Sequence, residues 1–193
     1  MHVKSPSRSV PATGTSVRER GFTIVELMIT IAVAAILLMI AVPSFRSMLA
    51  SSKLTAATNA LVGGLSEARM EAIQRNSAAQ FCSDAGSSNT TDTLGKQCSI
   101  SGGGAVVATT GSTATTVRAA PASLATPVQL SGSIVAIRFN GQGIGYQAGV
   151  TSTPYNSTVA TLCSTSVSSN NRVTINMAAG SIVTTTPSTG SCP

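Results

Sequence analysis

Arg18-Glu-Arg-Gly-Phe22-Thr-Ile-Val-Glu26-Leu-Met-Ile-Thr30-Ile-Ala-Val-Ala-Ala-Ile-Leu-Leu-Met-Ile-Ala-Val-Pro43 is the stretch whose reading decides the fold. From Leu27 to Val42 its only polar side chain is Thr30. Taken from Phe22 to Phe45, the run gives about 36 Å of helix at ~1.5 Å per residue. That length crosses a hydrocarbon core of roughly 30 Å with some tilt. Lys4, Arg8, Arg18 and Arg20 precede the run, and only Arg46 and Lys53 come closely after it. The positive-inside bias therefore puts residues 1–21 in the cytoplasm and the C-terminal domain outside. No small-x-small cleavage site separates the apolar run from the C-terminal domain, so the helix is expected to be retained. Inside it lies one carboxylate, Glu26. Either it is a polar residue near the membrane surface, relieved by snorkelling and water, or it has a charged partner.

The basic leader, Gly21, the sequence Phe22-Thr-Ile-Val-Glu26 and the long apolar helix interrupted at Pro43 resemble the N-terminus of a type IV pilin or pseudopilin. The resemblance implies that a prepilin peptidase cuts between Gly21 and Phe22 and methylates the new amine of Phe22. It also implies that Glu26 pairs with the Phe22 ammonium of a neighbouring subunit. Such a pair acts as specificity, because a mismatched axial register leaves a buried charge alone. Pro43 removes a backbone donor and is expected to kink or locally melt the helix. It marks either the membrane exit or, by resemblance, the place where the helix loosens on assembly.

Composition bounds the remainder. Of 193 residues, about 170 remain beyond the leader, enough for one membrane helix and one modest domain. Charged residues are only 9% and aromatic residues 3%, while Ser, Thr, Gly and Ala dominate the second half, which reads as a small-residue β domain. Of the +6 formal charge, half belongs to the leader. The other cations, Arg46, Lys53, Arg69, Arg75, Lys96, Arg118, Arg138 and Arg172, are scattered singly and form no nucleic-acid stripe. Four cysteines fit an oxidising compartment. Metal binding would need a C-x-x-C spacing or a histidine, and the only histidine is His2 in the leader, so disulfides are expected and no metal or cofactor. Cys82 and Cys98 would close a polar loop, worth roughly 3 kcal/mol in the chain-entropy model, and Cys163 and Cys192 would staple the tail; other connectivities stay open. Catalysis lacks a poised base beside any of the plentiful serines, so the chain is not expected to be an enzyme.

Along the chain, residues 1–21 show no periodicity and read as a disordered tether. Residues 22–45 are the span. Residues 46–76 continue it as an amphipathic helix whose stripe is Leu54, Ala57, Leu61, Leu65, Ala68 and Ala72, with local bending or close packing expected at Gly63-Gly64. Residues 77–193 form the β-rich globular part. Strands are expected at 78–82, 105–109, 128–130, 134–139, 159–163, 172–177 and 180–185, with Ser83–Gln97 a surface loop. Asn140-Gly141 is a type I′ hairpin signal, and the Gly141-Gln-Gly143-Ile-Gly145 run is a turn between strands rather than a phosphate loop.

The later features, Phe81-Cys82, Ile137-Arg-Phe-Asn-Gly-Gln-Gly143, Leu162-Cys-Ser164 and Arg172-Val-Thr-Ile175 ahead of a last cysteine, are similar to minor pilins of the FimT/FimU and GspH kind. The resemblance implies an α+β type IV pilin fold: a long N-terminal helix, membrane half plus amphipathic half, packed on a small antiparallel β domain built as a sandwich or two sheets. It implies a subunit of the bacterial inner membrane, single pass with its domain in the periplasm, then at the pilus tip. There it would prime or cap a filament with other minor pilins and the major pilin, after contact with the prepilin peptidase and the inner-membrane assembly platform. A minor pseudopilin of a type II secretion system is the alternative. FimT-type members bind DNA through a C-terminal Gly-Arg-x-Arg motif. In the aligned window here, Gly180-Ser-Ile-Val183, both arginines are missing, and the window Asn171-Arg-Val-Thr174 keeps one. A paired phosphate clamp is thus absent, leaving Arg138 and Arg172 as the candidates for a weak nucleic-acid contact or as solvated charges.

Overall fold

The computed structural model describes residues 21–193; the expected leader tether, up to residue 20, lies outside them. The chain divides between Ala41 and Val42 into two compact units. Helix α1, Ile24–Gln74, runs through that boundary without a break at Pro43. It starts where Thr23 supplies a cap: the Thr23 hydroxyl accepts from the Glu26 amide at 3.2 Å, and the Thr23 carbonyl accepts from Leu27. It stops where Asn76 takes a positive φ of 44° while the amide of Asn76 donates to Ile73 and that of Ser77 to Ala72. This pair of bonds around a left-handed residue is the Schellman stop, here with asparagine in the glycine position.

In the second unit the expected stripe is the buried face of α1: Leu54, Ala57, Leu61, Leu65, Ala68 and Ala72 are all at most 3% exposed. Spacings of three and four keep them on one side of the helix. Gly64 belongs to that face. A Cβ there would stand 2.9 Å from the Phe81 ring, so the glycine serves close approach of helix and sheet.

Among the described residues, nine strands form two antiparallel sheets. β1 (Ala79–Phe81), β2 (Val106–Thr110), β3 (Thr113–Arg118), β5 (Ile137–Phe139) and β6 (Gly145–Gln147) make one, in the order β3-β2-β1-β5-β6. β4 (Val128–Leu130), β7 (Ser157–Ser164), β8 (Arg172–Ala178) and β9 (Ile182–Ser188) make the other, in the order β4-β7-β8-β9. β9 is an outer strand, nearly all of it exposed, and contains Pro187. One core joins the α1 stripe to inward residues of both sheets, among them Phe81, Phe139, Leu162, Ile175 and Met177. Strand alternation sends the other residues of the first sheet the opposite way. Val106 and Ala108 face α1, whereas Ala105 and Val107 meet Cys82, Leu94 and Cys98 in a second small core.

That second core corrects the expected loop at Ser83–Gln97. The segment holds a 3-10 turn, Gly86–Asn89, and a helix, α2, Thr93–Ser101. The Asp92 side chain caps α2 by accepting from the Gly95 amide at 2.9 Å, and Leu94 and Cys98, one turn apart, point into the sheet. Cys98 is bonded to Cys82, and Cys163 to Cys192, with Cα atoms 5.2 and 5.8 Å apart. Strands β3 and β6 were not expected as strands; β3 is held by its pairing with β2.

The β5–β6 connection also differs. It is a five-residue turn in which the Asn140 side chain accepts from the amides of Gln142 and Ile144, with the positive φ of 75° at Gly143. Asn140 acts as an Asx-turn residue there, so a two-residue turn at Asn140-Gly141 does not form. The two-residue signature of successive positive φ appears instead at Ala179 (50°) and Gly180 (67°), between β8 and β9, where the Ser181 amide donates to Ala178.

Candidate functional site

On α1 the apolar residues from Phe22 to Leu49 stand open. The large hydrophobic side chains among them run from 41% exposed at Val42 to 79% at Ile24, on every side of the helix. A helix apolar all round has no stable place in water and belongs in a bilayer or among other apolar helices. Gly21 and Phe22 precede the first helical residue, and Phe22 is exposed. Thr23 and Glu26 occupy the cap and third positions of the helix, the T-x-x-E pattern of a capping box. That pattern was legible in the sequence but was not among the expected features. The half of the box that forms uses the amide of Glu26 and leaves its carboxylate without a hydrogen bond or ion pair among the described residues. Pro43 lies within the helix, three residues before the first basic residue after the apolar run, Arg46.

The two candidate arginines are not brought together. Arg138 is on β5 of the five-stranded sheet and Arg172 on β8 of the other. Arg138 is no solvated charge. Its Nη1 and Nη2 donate to both carboxylate oxygens of Asp92, and its Nε and Nη2 to Oε1 of the fully buried Gln80. Gln80 in turn donates to the Asn89 carbonyl, and the Asn89 amide side chain satisfies both the N–H and the C=O of Ser83. This network ties the cap of α2 to β1 and β5. Arg172 donates to Ser131 Oγ beside the C-terminal tail, where Asn171 and Gly190 exchange two hydrogen bonds.

Hydrogen bonding from the Arg138 guanidinium holds the Asp92 carboxyl down at about 2, from an ordinary 3.8, with the Gly95 amide and Thr90 hydroxyl helping against the opposing effect of burial. A depressed carboxyl contributes stability that is whole above its unfolded value and is lost as pH falls through the folded value. We expect stability to decline between about pH 4 and pH 2 through this group. In Arg138→Ala that decline should shrink, and at neutral pH the variant should lose about 2–3 kcal/mol, because Gln80 keeps a buried acceptor without its donors. Urea unfolding of the full chain in detergent, followed by circular dichroism at pH 7, 4 and 2, reads both effects. An unchanged midpoint at pH 7 would show that the network adds nothing to stability.

Among the described residues no group of His, Cys, Asp or Glu could hold a metal. A groove of about 500 Å³ runs between α1 and the β8–β9 hairpin past Val62, Arg69, Met70, Ile73 and Val183, and it gathers no nucleophile with a base.

Two family descriptions match. Residues 17–42 match the prokaryotic N-terminal methylation motif, and residues 57–180 match the family described as type II transport protein GspH. No curated protein and no solved structure matches the chain. The second match covers well over half of the sequence, from the buried half of α1 through eight of the nine strands. A methylation motif on an apolar helix, followed by that helix's own buried stripe on two antiparallel sheets, is the pilin-like plan, and the chain belongs to the GspH family, which is type IV pilin-like.

Proposed function

We propose that this chain is a minor type IV pilin, a structural subunit and not an enzyme. It is cut after Gly21 and methylated at Phe22 by the prepilin peptidase. Residues 22–45 hold it in the inner membrane, with residues 46–76 continuing the helix and residues 77–193 folded in the periplasm. From there it joins the assembly platform, other minor pilins and the major pilin, and it primes or caps the filament tip. The observation that carries this is the contrast along α1: from Leu54 to Ala72 one face is sealed by the chain's own sheets, whereas from Phe22 to Leu49 the apolar surface is left open by the described residues. Neighbouring helices would cover that surface, and the Glu26 carboxylate would meet a neighbour's Phe22 amine there.

A second reading keeps the same assembly chemistry and places the subunit in a type II secretion system as a minor pseudopilin. The description of the matching family favours it. DNA binding is the weakest reading, since Arg138 is committed to Asp92 and Gln80 and stands in a different sheet from Arg172. The test is cross-linking of the tagged full chain in cells that carry both machines, followed by mass spectrometry. Recovery of pilus subunits supports the first reading and recovery of secretion pseudopilins the second. Recovery of neither overturns both.

A further inference from the structure

Lys53 stands between two small clefts. The larger, about 220 Å³, is lined by Arg46, Leu49, Ala50 and Lys53 of α1, with Pro127 and Ser166 across from them. The smaller, about 130 Å³, shares Lys53 and is closed by Ala56 and the Ala122–Thr126 segment. Within that segment the Ser123 hydroxyl oxygen is buried without a hydrogen-bond partner among the described residues. No acid lines either cleft. The ion pairs among the described residues use Arg75, Arg118 and Arg138, so Arg46 and Lys53 are both uncommitted. They lie seven residues apart, two turns on one side of the helix.

The geometry points to these clefts as a binding site for the phosphate of an anionic phospholipid. Arg46 directly follows Phe45, and Lys53 lies about 10 Å beyond Arg46 along α1, within reach of a headgroup layer of roughly 5–8 Å given the length of its side chain. Helical side chains lean towards the N-terminus, so both cations lean back towards the apolar run. Phe45 and Leu49, four residues apart on one side of α1, are exposed next to them, Leu49 lining the larger cleft, and they offer an apolar wall for acyl chains. Apolar side chains, two cations and the hydroxyls of Ser123 and Ser166 are thus gathered at one place, matching the acyl, phosphate and glycerol chemistry of a phospholipid. The site rests on the reading of Phe22–Phe45 as a membrane span. It goes beyond that reading in choosing a lipid class: a phosphate with no compensating ammonium, as in phosphatidylglycerol.

The test uses the full chain in neutral detergent, with mixed micelles doped with phosphatidylglycerol or phosphatidylcholine, and native mass spectrometry to count retained lipid. Phosphatidylglycerol should be retained in preference. The preference should fall about fivefold in Arg46→Gln or Lys53→Gln and about thirtyfold in the double variant, and it should weaken with salt. Lys96→Gln, an exposed cation on α2, should leave it unchanged. Equal retention by the wild type and the double variant overturns the site, as does thermal stabilisation by inorganic phosphate alone as large as that by the lipid. A chain that stays out of the detergent phase overturns the membrane span itself, a separate failure visible before any lipid is counted.

Discussion

Gly180→Val is expected to cost about 4 kcal/mol of stability, a large share of the 5–15 kcal/mol typical of a folded domain. Gly180 sits in the β8–β9 turn with φ at 67°, and its amide donates to the Tyr155 carbonyl at 2.8 Å. Its carbonyl accepts from the Gly145 amide at 2.7 Å, and the Gly145 carbonyl accepts from Tyr155 at 2.9 Å. Three segments thus close a ring of backbone bonds, with β6 of one sheet at one corner and the β8–β9 turn of the other sheet at the next. A Cβ on Gly180 would lie 2.5 Å from the Gly145 carbonyl oxygen, a backbone atom that cannot swing aside. Strain from the left-handed backbone contributes about 1 kcal/mol, and each broken bond adds about 1–1.5 kcal/mol. Gly132→Ala separates the two effects. Gly132 has φ at 89° and nothing near its Cβ position, so only the strain of about 1 kcal/mol should appear. Urea midpoints of the full chain in detergent decide the matter; similar losses for Gly132→Ala and Gly180→Val would mean that the ring contributes nothing.

Glu26→Ala should leave cleavage after Gly21 and methylation of Phe22 intact while lowering incorporation into filaments by about a hundredfold or more. The helix itself should start as before. Its cap uses the Thr23 hydroxyl and the backbone amide of residue 26, neither of which the substitution removes. With the proposed pairing, the variant would strand a neighbour's ammonium in an apolar assembly, and an uncompensated buried charge costs about 3–5 kcal/mol. Glu26→Gln keeps shape and polarity without charge and should recover little. Thr23→Ala, by contrast, should weaken only the cap, by about 1 kcal/mol, and reduce incorporation far less. The ratio of subunit in sheared filaments to subunit in membranes measures each variant. Wild-type recruitment of Glu26→Ala would eliminate charge pairing as the means of setting register.

The parts of this fold that the sequence announces are those written in local patterns. An apolar run past Leu27, a stripe of three and four spacings from Leu54 to Ala72, and β-branched runs at Val159 and Arg172 each need only their own neighbours to be read. Helix α2 escaped because its segment is polar and short, and what makes it a helix is the Asp92 cap together with Leu94 and Cys98 landing on Cys82 and Val107. The Arg138 network escaped for a related reason. Its partners Asp92 and Gln80 are 46 and 58 residues away, a distance at which a lone arginine in a strand looks like any surface cation. The Asn140-Gly141 signal misled because the Asn140 side chain took over the bonding of its own turn. For the site, the apolar half of α1 and its lone carboxylate were legible. The two clefts beside Lys53 were not, since Pro127, Ser123 and Ser166 reach α1 only through the fold.

Strand β9 bears on how such a subunit waits. On the proposed reading, copies anchored in one membrane would meet at high local concentration before assembly, and an open strand edge is a template on which they could stack into useless ladders. The outer edge of β9 is long enough for that hazard. Pro187 answers it, because a proline within a strand turns its missing donor to the open side. A second copy laid along β9 therefore finds an interrupted row of amides near the C-terminal end. On that reading, keeping subunits single and available to a helix-ordered filament would rest in part on one residue far from the helix.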